Sequence, residues 1–498
     1  MLTKSRYIKG LQCPKCLWLD VHAPEKAAIS DSQKLQWQQG TDVGAMARQY
    51  FPGGVLVTGF GNTQCQQKTQ HLLAQRVTCL FEATFAWENI VVKCDVLQQT
   101  ALGGWEIIEV KSSTKVKNEH VEDLAIQWYV VQQNGLPLQR VYVMHLNSQD
   151  CFYPDLSNLF VQVDVTAEVQ ALVQQIPERL AQFQALVQQE NEPDHPIGDH
   201  CDQPYTCSFK TYCWRDVPKV SIFDIPRLDR QKRLDLISKG IFQIEQLPEE
   251  ILSTLSESQQ AFVQQYLRGQ PRINHDGIRE LLNQLRYPLC FFDFEATNPA
   301  IPRYPRTRPY QRVPFQFSCH ILTAEGVLTH CDYLHTDRDD PRPALARALV
   351  QAIGDTGSII VYNQGYEKSV LQELAELLPE LAPQLTSMVA RLWDQMVIFR
   401  DHYHHPAFGG STSLKKILPV LVPELSYQDL AIQQGDIAKY RWEAAILSDD
   451  PVLQAQTWQE LRDYCRHDTL AMVALHRHLV DLVATPTKAV GVALSDTG

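Results

Sequence analysis

Four short runs in the first part of the chain are dense in β-branched and aromatic residues: CLFEATFAW (79–87), NIVVKCDVL (89–97), GWEIIEVKS (104–112) and RVYVMHLN (140–147). Each has strand length, and the pattern predicts four strands. A helix is predicted between the last two, from Val121 to Asn134, and helical apolar spacing recurs from Thr166 to Gln189. That segment ends in the breaker-rich loop NEPDHPIGDHCDQP, which carries Cys201. Residues 219–285 read as short helices with basic spots such as RLDRQKR. A second α/β region opens near Tyr287 with the apolar strand PLCFFDFEA. SIIVYN (358–363) is its second strand, and helices alternate with loops up to about Val483. The last residues, ATPTKAVGVALSDTG, read as a loose tail. The chain thus divides into an α/β domain over 1–218, a helical connector over 219–285, a second α/β domain over 286–483 and a tail over 484–498.

Composition narrows the function classes. Hydrophobic residues are 44% and charged residues 20% of the 498, the range of a soluble globular protein. No stretch approaches the roughly 18 apolar residues of a membrane span, and MLTKSRYIKGLQCPK has no apolar signal core, so the expected location is the cytoplasm. Thirteen cysteines there are expected to stay reduced or to bind metal. Lys plus Arg is 45 against 57 for Asp plus Glu, a net charge of −12. This excludes a basic protein that grips nucleic acid over its whole surface. A nuclease remains compatible, because its grip is local and divalent metal supplies positive charge.

Three groups of residues carry chemistry. Asp95 ends one strand, and Glu109 and Lys111 share a face of the next, with Val110 on the other. Two carboxylates and an ammonium at one sheet edge suit metal-assisted phosphodiester hydrolysis. The acids hold Mg²⁺ or Mn²⁺, and the lysine steadies charge on the attacked phosphate or the water. Glu82 in FEATF is a further acidic candidate. The second group is Cys13 and Cys16 in LQCPKCLW with Cys201, Cys207 and Cys213 in HCDQPYTCSFKTYCW. A four-thiolate site would tie the two ends of the domain together, and zinc and an iron–sulfur cluster both fit four cysteines.

The third group begins with Asp293 and Glu295, two apart on an interior strand and therefore on one face. IIVYNQGYEKSVL delivers Asn363, Tyr366 and Glu367 at a strand-to-helix turn. In the helix LRDYCRHDTLAMVALHRHL, Tyr464 and Asp468 are four apart on one face. Buried anions need compensating cations, and these acids can hold two Mg²⁺ or Mn²⁺ ions while the phenol orients the attacking water. Weaker features surround them. Arg303, Arg306, Arg308 and Arg312 interleave with Tyr304 and Tyr310, which suits phosphate contact with base stacking. Gly409, Gly410 and Ser411 precede a helix start able to hold a phosphate, although capping is the commoner role. HYHH (402–405) reads as a surface turn.

These motifs carry a resemblance. Residues 1–218 resemble a RecB-type PD-(D/E)XK nuclease domain of the iron–sulfur kind, with its early Cys, its Asp…Glu-x-Lys core and its three late Cys. The resemblance implies a restriction-endonuclease-like fold, Asp95 and Glu109 as metal ligands and Lys111 as the catalytic lysine. It implies a 4Fe–4S cluster on Cys13, Cys201, Cys207 and Cys213, with zinc as the alternative, and Cys13 matches the early position better than Cys16. Gln127 and Tyr129 fall where the family carries its Gln and Tyr for nucleic-acid binding, at a spacing other than Gln-x-x-x-Tyr. The family's early-helix His has no counterpart in QGTDVGAMA, where Gly44 stands. Residues 286–483 resemble the DnaQ-like, RNase H-fold 3′–5′ exonucleases of the DEDD class with Tyr in the last motif. This implies Asp293, Glu295, Glu367 and Asp468 as metal ligands and Tyr464 as the water-placing group, Glu367 standing where the family has Asp. The whole resembles a bacterial family fusing the two domains. The expected function is a metal-dependent nuclease acting on nucleic acid, single-stranded DNA ahead of RNA. The 3′–5′ exonuclease is expected at the C-terminal site, with a second DNA nuclease centre at the N-terminal site; a nucleic-acid-binding protein with one or both sites inactive and a structural adaptor clamped by its cysteines are the rivals.

Overall fold

The computed structural model describes residues 1–484, so all but the first residue of the tail expected over 484–498 lies outside the described residues. The chain is mixed α/β and forms two compact units. Unit 1 comprises Met1–Val217 with Asn298–Gln311, and unit 2 comprises Pro218–Thr297 with the chain from Arg312 onward. No helix among the described residues is long and apolar enough to cross a membrane.

Unit 1 is built on a seven-stranded sheet of β1 (Leu2–Thr3), β2 (Val55–Leu56), β3 (Cys79–Trp87), β4 (Ile90–Gln99), β5 (Trp105–Lys111), β6 (Leu138–Leu146) and β7 (Phe160–Asp164), in the order β2-β3-β4-β5-β6-β7 with β1 beside β4. The β3–β4–β5 meander is antiparallel, and β5 runs parallel to β6. Such a parallel pair needs a crossover, and the helix Asn118–Gln133 supplies it. That helix begins three residues before the expected Val121, because His120 Nδ1 accepts the Lys117 amide and closes an extra turn. Leu124, Ile126 and Val131 of this helix share one apolar core with Trp105, Ile107, Val141 and Val143. Alternation along β5 then turns Glu109 and Lys111 toward the same helix.

The core-facing parity changes within β3 and β4. Leu80, Ala83 and Phe85 face one core with Ile90, Val92, Cys94 and Leu97, while Phe81 and Val96 face the other. The change falls at Glu82 and Asp95, which stand opposite each other where the ladder skips a pair, and Glu82 has a φ of 57°. A non-glycine residue in the left-handed region marks a local distortion of this kind.

Residues 298–311 close over another part of unit 1. Ala300, Ile301 and Tyr310 join Val43, Leu146, Cys151 and Leu159 in one apolar cluster, and the Thr307 and Tyr153 backbones are bonded.

In unit 2, residues 219–285 contain the helices Arg230–Ser238, Glu257–Arg268 and His275–Leu282 and the short strand β8 (Arg272–Ile273). Ile222, Leu236, Ile244 and Val263 give this stretch its own small core. The main sheet has β9 (Leu289–Thr297), β10 (Val313–Leu322), β11 (Leu328–Leu334), β12 (Ser358–Val361) and β13 (Leu392–Asp394), in the order β11-β10-β9-β12-β13. β14 (Tyr403–His404) pairs with β8. β9 is antiparallel to β10 and parallel to β12. Gly357 makes the start of that parallel pair possible: with φ 82°, a Cβ there would lie 2.0 Å from the Pro288 carbonyl oxygen.

β9 is buried on both faces, which explains its continuous apolar run. Cys290, Phe292 and Phe294 pack among the helices Pro341–Ile353 and Gln364–Leu377. Leu289 and Phe291 pack against Met472 and Val473 of the helix Pro451–Ala484. Asp293 and Glu295 share this second face by alternation, so the residues one and two turns before Met472 come to meet them. Phe292→Ala should remove a fully buried ring at the sheet centre and destabilise unit 2 by about 3–5 kcal/mol. A lowered thermal midpoint with unchanged far-ultraviolet circular dichroism at 20 °C would record it.

Candidate functional site

Asp293 and Glu295 from β9 and Asp468 from the helix Pro451–Ala484 place ligand oxygens within 4.8 Å of one another. The helix is held to the sheet beside them. Gln316 donates to the Leu461 carbonyl at 2.9 Å, and Thr469 Oγ1 contacts Ser318 at 2.9 Å and His320 at 2.8 Å. Burial raises the carboxyls of Asp293 and Glu295 well above their usual range, and the neighbouring Asp468 raises both further. Asp468 is pushed up to about 6 by burial, against hydrogen bonds from Tyr427 and Tyr464.

Glu367 does not share that 4.8 Å group. It sits in the first turn of the helix Gln364–Leu377, buried, with no hydrogen bond to Oε2 among the described residues, and burial pushes it up to about 8. Asn363 starts that helix at φ 75°, and Asp394 fixes the turn. Asp394 accepts the amides of Asn363 at 3.0 Å, Gln364 at 3.2 Å and Met396 at 3.0 Å. The sequence reasoning missed Asp394, along with two further groups. Lys415 Nζ donates to Tyr464 Oη at 2.9 Å and to the Gln433 carbonyl at 2.6 Å, and lies about 5 Å above the rings of Tyr427 and Tyr464. The Tyr427 hydroxyl donates to Asp468 Oδ1. Lys415 stands just inside the helix start that drew attention to Ser411, which is the only signal it left. Nothing in SYQDL marks Tyr427. An all-oxygen set of three converging carboxylates fits Mg²⁺ or Mn²⁺.

The unit 1 site is neutralised from within. Glu109 Oε1 accepts Lys4 Nζ and Lys111 Nζ, each at 2.8 Å, and Oε2 accepts Gln127 Nε2 at 2.8 Å. Lys111 also reaches Asp123, and Lys4 lies 3.4 Å from it. Lys4 arrives because β1 pairs with β4 and the first helix starts at once. Burial works to raise the Glu109 carboxyl, but Lys111 and Lys4 reverse this and hold it below its usual range. Asp95 accepts the Val110 amide at 2.8 Å, and burial and then Glu109 push it up to about 7. Lys4 and Asp123 were not anticipated, since neither lies in the Asp…Glu-x-Lys pattern.

All five cysteines line one pocket of unit 1. Cys13 and Cys16 come from the junction of the first two helices, and Cys201, Cys207 and Cys213 from the late loop, with His195 and His200 beside them. Cys207 is pushed down to about 6 by the hydrogen bond from the Cys16 thiol. The tightest convergence is of Cys13, His195 and His200, whose ligand atoms lie within 4.8 Å of one another. The two histidines were visible in HPIGDHC but were not singled out. Sulfur and imidazole donors fit zinc, and the thiols fit an iron–sulfur centre.

Other expected residues fall elsewhere. Gln127 joins the unit 1 site, but Tyr129 does not: two residues along a helix point to different sides, and Tyr129 packs on the core near Trp87. Tyr304 is buried and the Tyr310 hydroxyl donates to the Ser112 carbonyl, so neither is placed to stack a base, while Arg303, Arg306 and Arg308 are exposed. Arg312 lies in unit 2 over the ring of Tyr366 and donates to Ser369 at 2.6 Å. Ser411 Oγ accepts the Ser413 amide at 3.1 Å, a local turn. HYHH is not the surface turn expected: Tyr403 is buried in β14, which pairs with β8, His402 meets Asn274 beside that pair, and His405 accepts the Ala407 amide.

Residues 290–413 match the model of a domain of unknown function, DUF2779. This span takes in Asp293, Glu295 and Glu367 and ends before Lys415. The chain is 27% identical over 227 residues to the uncharacterized protein MG366 homolog of Mycoplasma pneumoniae, covering 41% of this chain and 34% of that one. It is 25% identical over 313 residues to uncharacterized protein UU173 of Ureaplasma parvum, covering 57% and 44%. The matches thus span less than half the length of these relatives.

The raised carboxyls set a pH dependence. In the unfolded chain they titrate near 4. In the folded chain Asp468, Asp95 and Glu367 keep their protons to about 6, 7 and 8. The folded state therefore binds more protons across that window, and stability falls as pH rises through it. With metal chelated, the melting temperature should drop from pH 5 to pH 8. Millimolar Mn²⁺ should restore most of the loss at pH 8, as measured by differential scanning fluorimetry.

Proposed function

We propose that this chain is a metal-dependent nuclease whose unit 2 site is a 3′–5′ exonuclease of the DEDD, RNase H-like kind, acting on single-stranded DNA ahead of RNA in the cytoplasm. The convergence of Asp293, Glu295 and Asp468 within 4.8 Å carries the reading. Burying three acids together is costly without a cation, and among the described residues no ion pair engages them as Lys4 and Lys111 engage Glu109 in unit 1. The central β9, covered on both faces by helices, suits the RNase H-like fold. Unit 1 is correspondingly read as the RecB-like, PD-(D/E)XK partner in a fusion of the two, with a cysteine-lined metal pocket. All thirteen cysteines are free, which agrees with a reducing compartment.

Divalent cations bound by Asp293, Glu295, Asp468 and Glu367 would supply Lewis acidity at the scissile phosphate and lower the pKa of water. The chain's own groups do the rest. Tyr464 Oη, held by Lys415 Nζ, orients the attacking water for in-line attack. Tyr427 keeps Asp468 Oδ1 fixed in direction, as an outer partner does for a ligating carboxylate. Lys415 also brings positive charge to a site where negative charge develops.

A second reading applies to unit 1. Lys4 and Lys111 already engage Glu109 and Asp123, an observation that favours an inactive nuclease centre there.

End-labelled single-stranded DNA and RNA incubated with Mn²⁺ test both. Asp293→Asn should cut 3′ trimming by more than about 10²-fold. Lys415→Met should cut it about 10–100-fold. Glu109→Gln should leave the 3′ ladder unchanged. Undiminished trimming by Asp293→Asn would refute the unit 2 assignment, and loss of the ladder in Glu109→Gln would move the activity to unit 1.

A further inference from the structure

The cysteine pocket holds more donor atoms than one zinc ion can use, and two of the residues that line it are histidines. Cys13 ends the helix Lys4–Gln12, and its sulfur, with one ring nitrogen each of His195 and His200, forms a group within 4.8 Å. A tetrahedral zinc ion, with Zn–S about 2.3 Å and Zn–N about 2.0–2.1 Å, needs its ligands roughly 3.5 Å apart, so small side-chain rotations suffice. An iron–sulfur cube instead spreads its thiolates around several metal atoms.

Three independent observations point the same way. His200 Nε2 is out of reach of solvent with no hydrogen-bond partner among the described residues, and a metal ion would satisfy it. The loop carrying His200 is pinned beside Cys13: Gln12 Nε2 donates to the carbonyls of His200 and Tyr205, each at 2.7 Å. The thiols of Cys16 and Cys207 touch each other at the same pocket, and Cys207 also faces His200, which places a further sulfur beside the triad.

We propose that this pocket binds a single zinc ion through Cys13, His195, His200 and one thiol of the Cys16–Cys207 pair. Two imidazoles and two thiolates leave the ion's site neutral, which suits a half-buried pocket better than the −2 of four thiolates. Cys201 and Cys213 then line the pocket without binding the ion. Since the ligands lie far apart in sequence, the ion closes a long loop of unit 1, and its binding energy becomes folding energy.

The test uses the full chain purified without oxygen, with zinc, iron and acid-labile sulfide quantified. The expected result is about one zinc per chain and no sulfide. His200→Ala and His195→Ala should weaken zinc binding at least about tenfold in a chelator competition, and Cys213→Ser should not. Replacement by Co²⁺ gives a readout that survives if those variants misfold. The wild-type spectrum should be that of a mixed sulfur–nitrogen site, and His200→Cys should intensify its sulfur-to-cobalt band. Iron with sulfide, a four-thiolate cobalt spectrum, a wild type that binds no zinc, or zinc lost in Cys213→Ser but kept in His200→Ala would each overturn the proposal. None of these readouts depends on nuclease activity, so the unit 2 assignment stands or falls separately.

Discussion

Negative charge buried without matching positive charge is the condition around which unit 2 is arranged. β9 is apolar on both faces because helices cover it on both sides, and two of its residues are nevertheless carboxylates. The long helix that seals one face brings in a third. The polar contacts around them, from Tyr427 on Asp468 to Lys415 on Tyr464, orient these groups, and Lys415 offsets only part of their charge. A site tuned only for stability would have replaced the acids by apolar residues of similar volume.

Unit 1 meets a similar problem in a different way. Its sheet also directs carboxylates at a packed helix, but two lysines arrive with them, one from the same strand and one from the first helix of the chain. The result is a closed ion network with Gln127 satisfying the last oxygen of Glu109. The two sites therefore differ in what they leave unbalanced: one retains a strong demand for cations, and the other has largely met it.

Much of this was legible in the sequence, for a definite reason. The strands carrying Asp95, Glu109 and Asp293 announce themselves because alternation and long apolar runs are local properties, and the i, i+4 relation of Tyr464 and Asp468 is local too. What the sequence did not reveal is contact between distant segments. Lys4 lies 105 residues from Glu109, and Tyr427 lies 41 from Asp468. Their positions are set by β1 pairing with β4 and by a loop packing on a helix, and neither leaves a periodic trace. The basic loop after β9 was misleading for the opposite reason. Its Arg and Tyr alternation is a surface pattern, yet Tyr304 and Tyr310 serve packing and a backbone hydrogen bond in unit 1.

That loop has a further consequence. Unit 1 is discontinuous: the chain that forms its core between Val43 and Leu159 is completed only by residues 298–311, supplied from between two strands of the other unit's sheet. No single cut in the chain yields both units whole. A fragment ending at residue 217 would bare the apolar cluster around Leu146 and Cys151, and one starting at 218 would carry an orphaned apolar strap. The two units are thus bound to be inherited and synthesised together, and to be lost together by a truncation anywhere before residue 311.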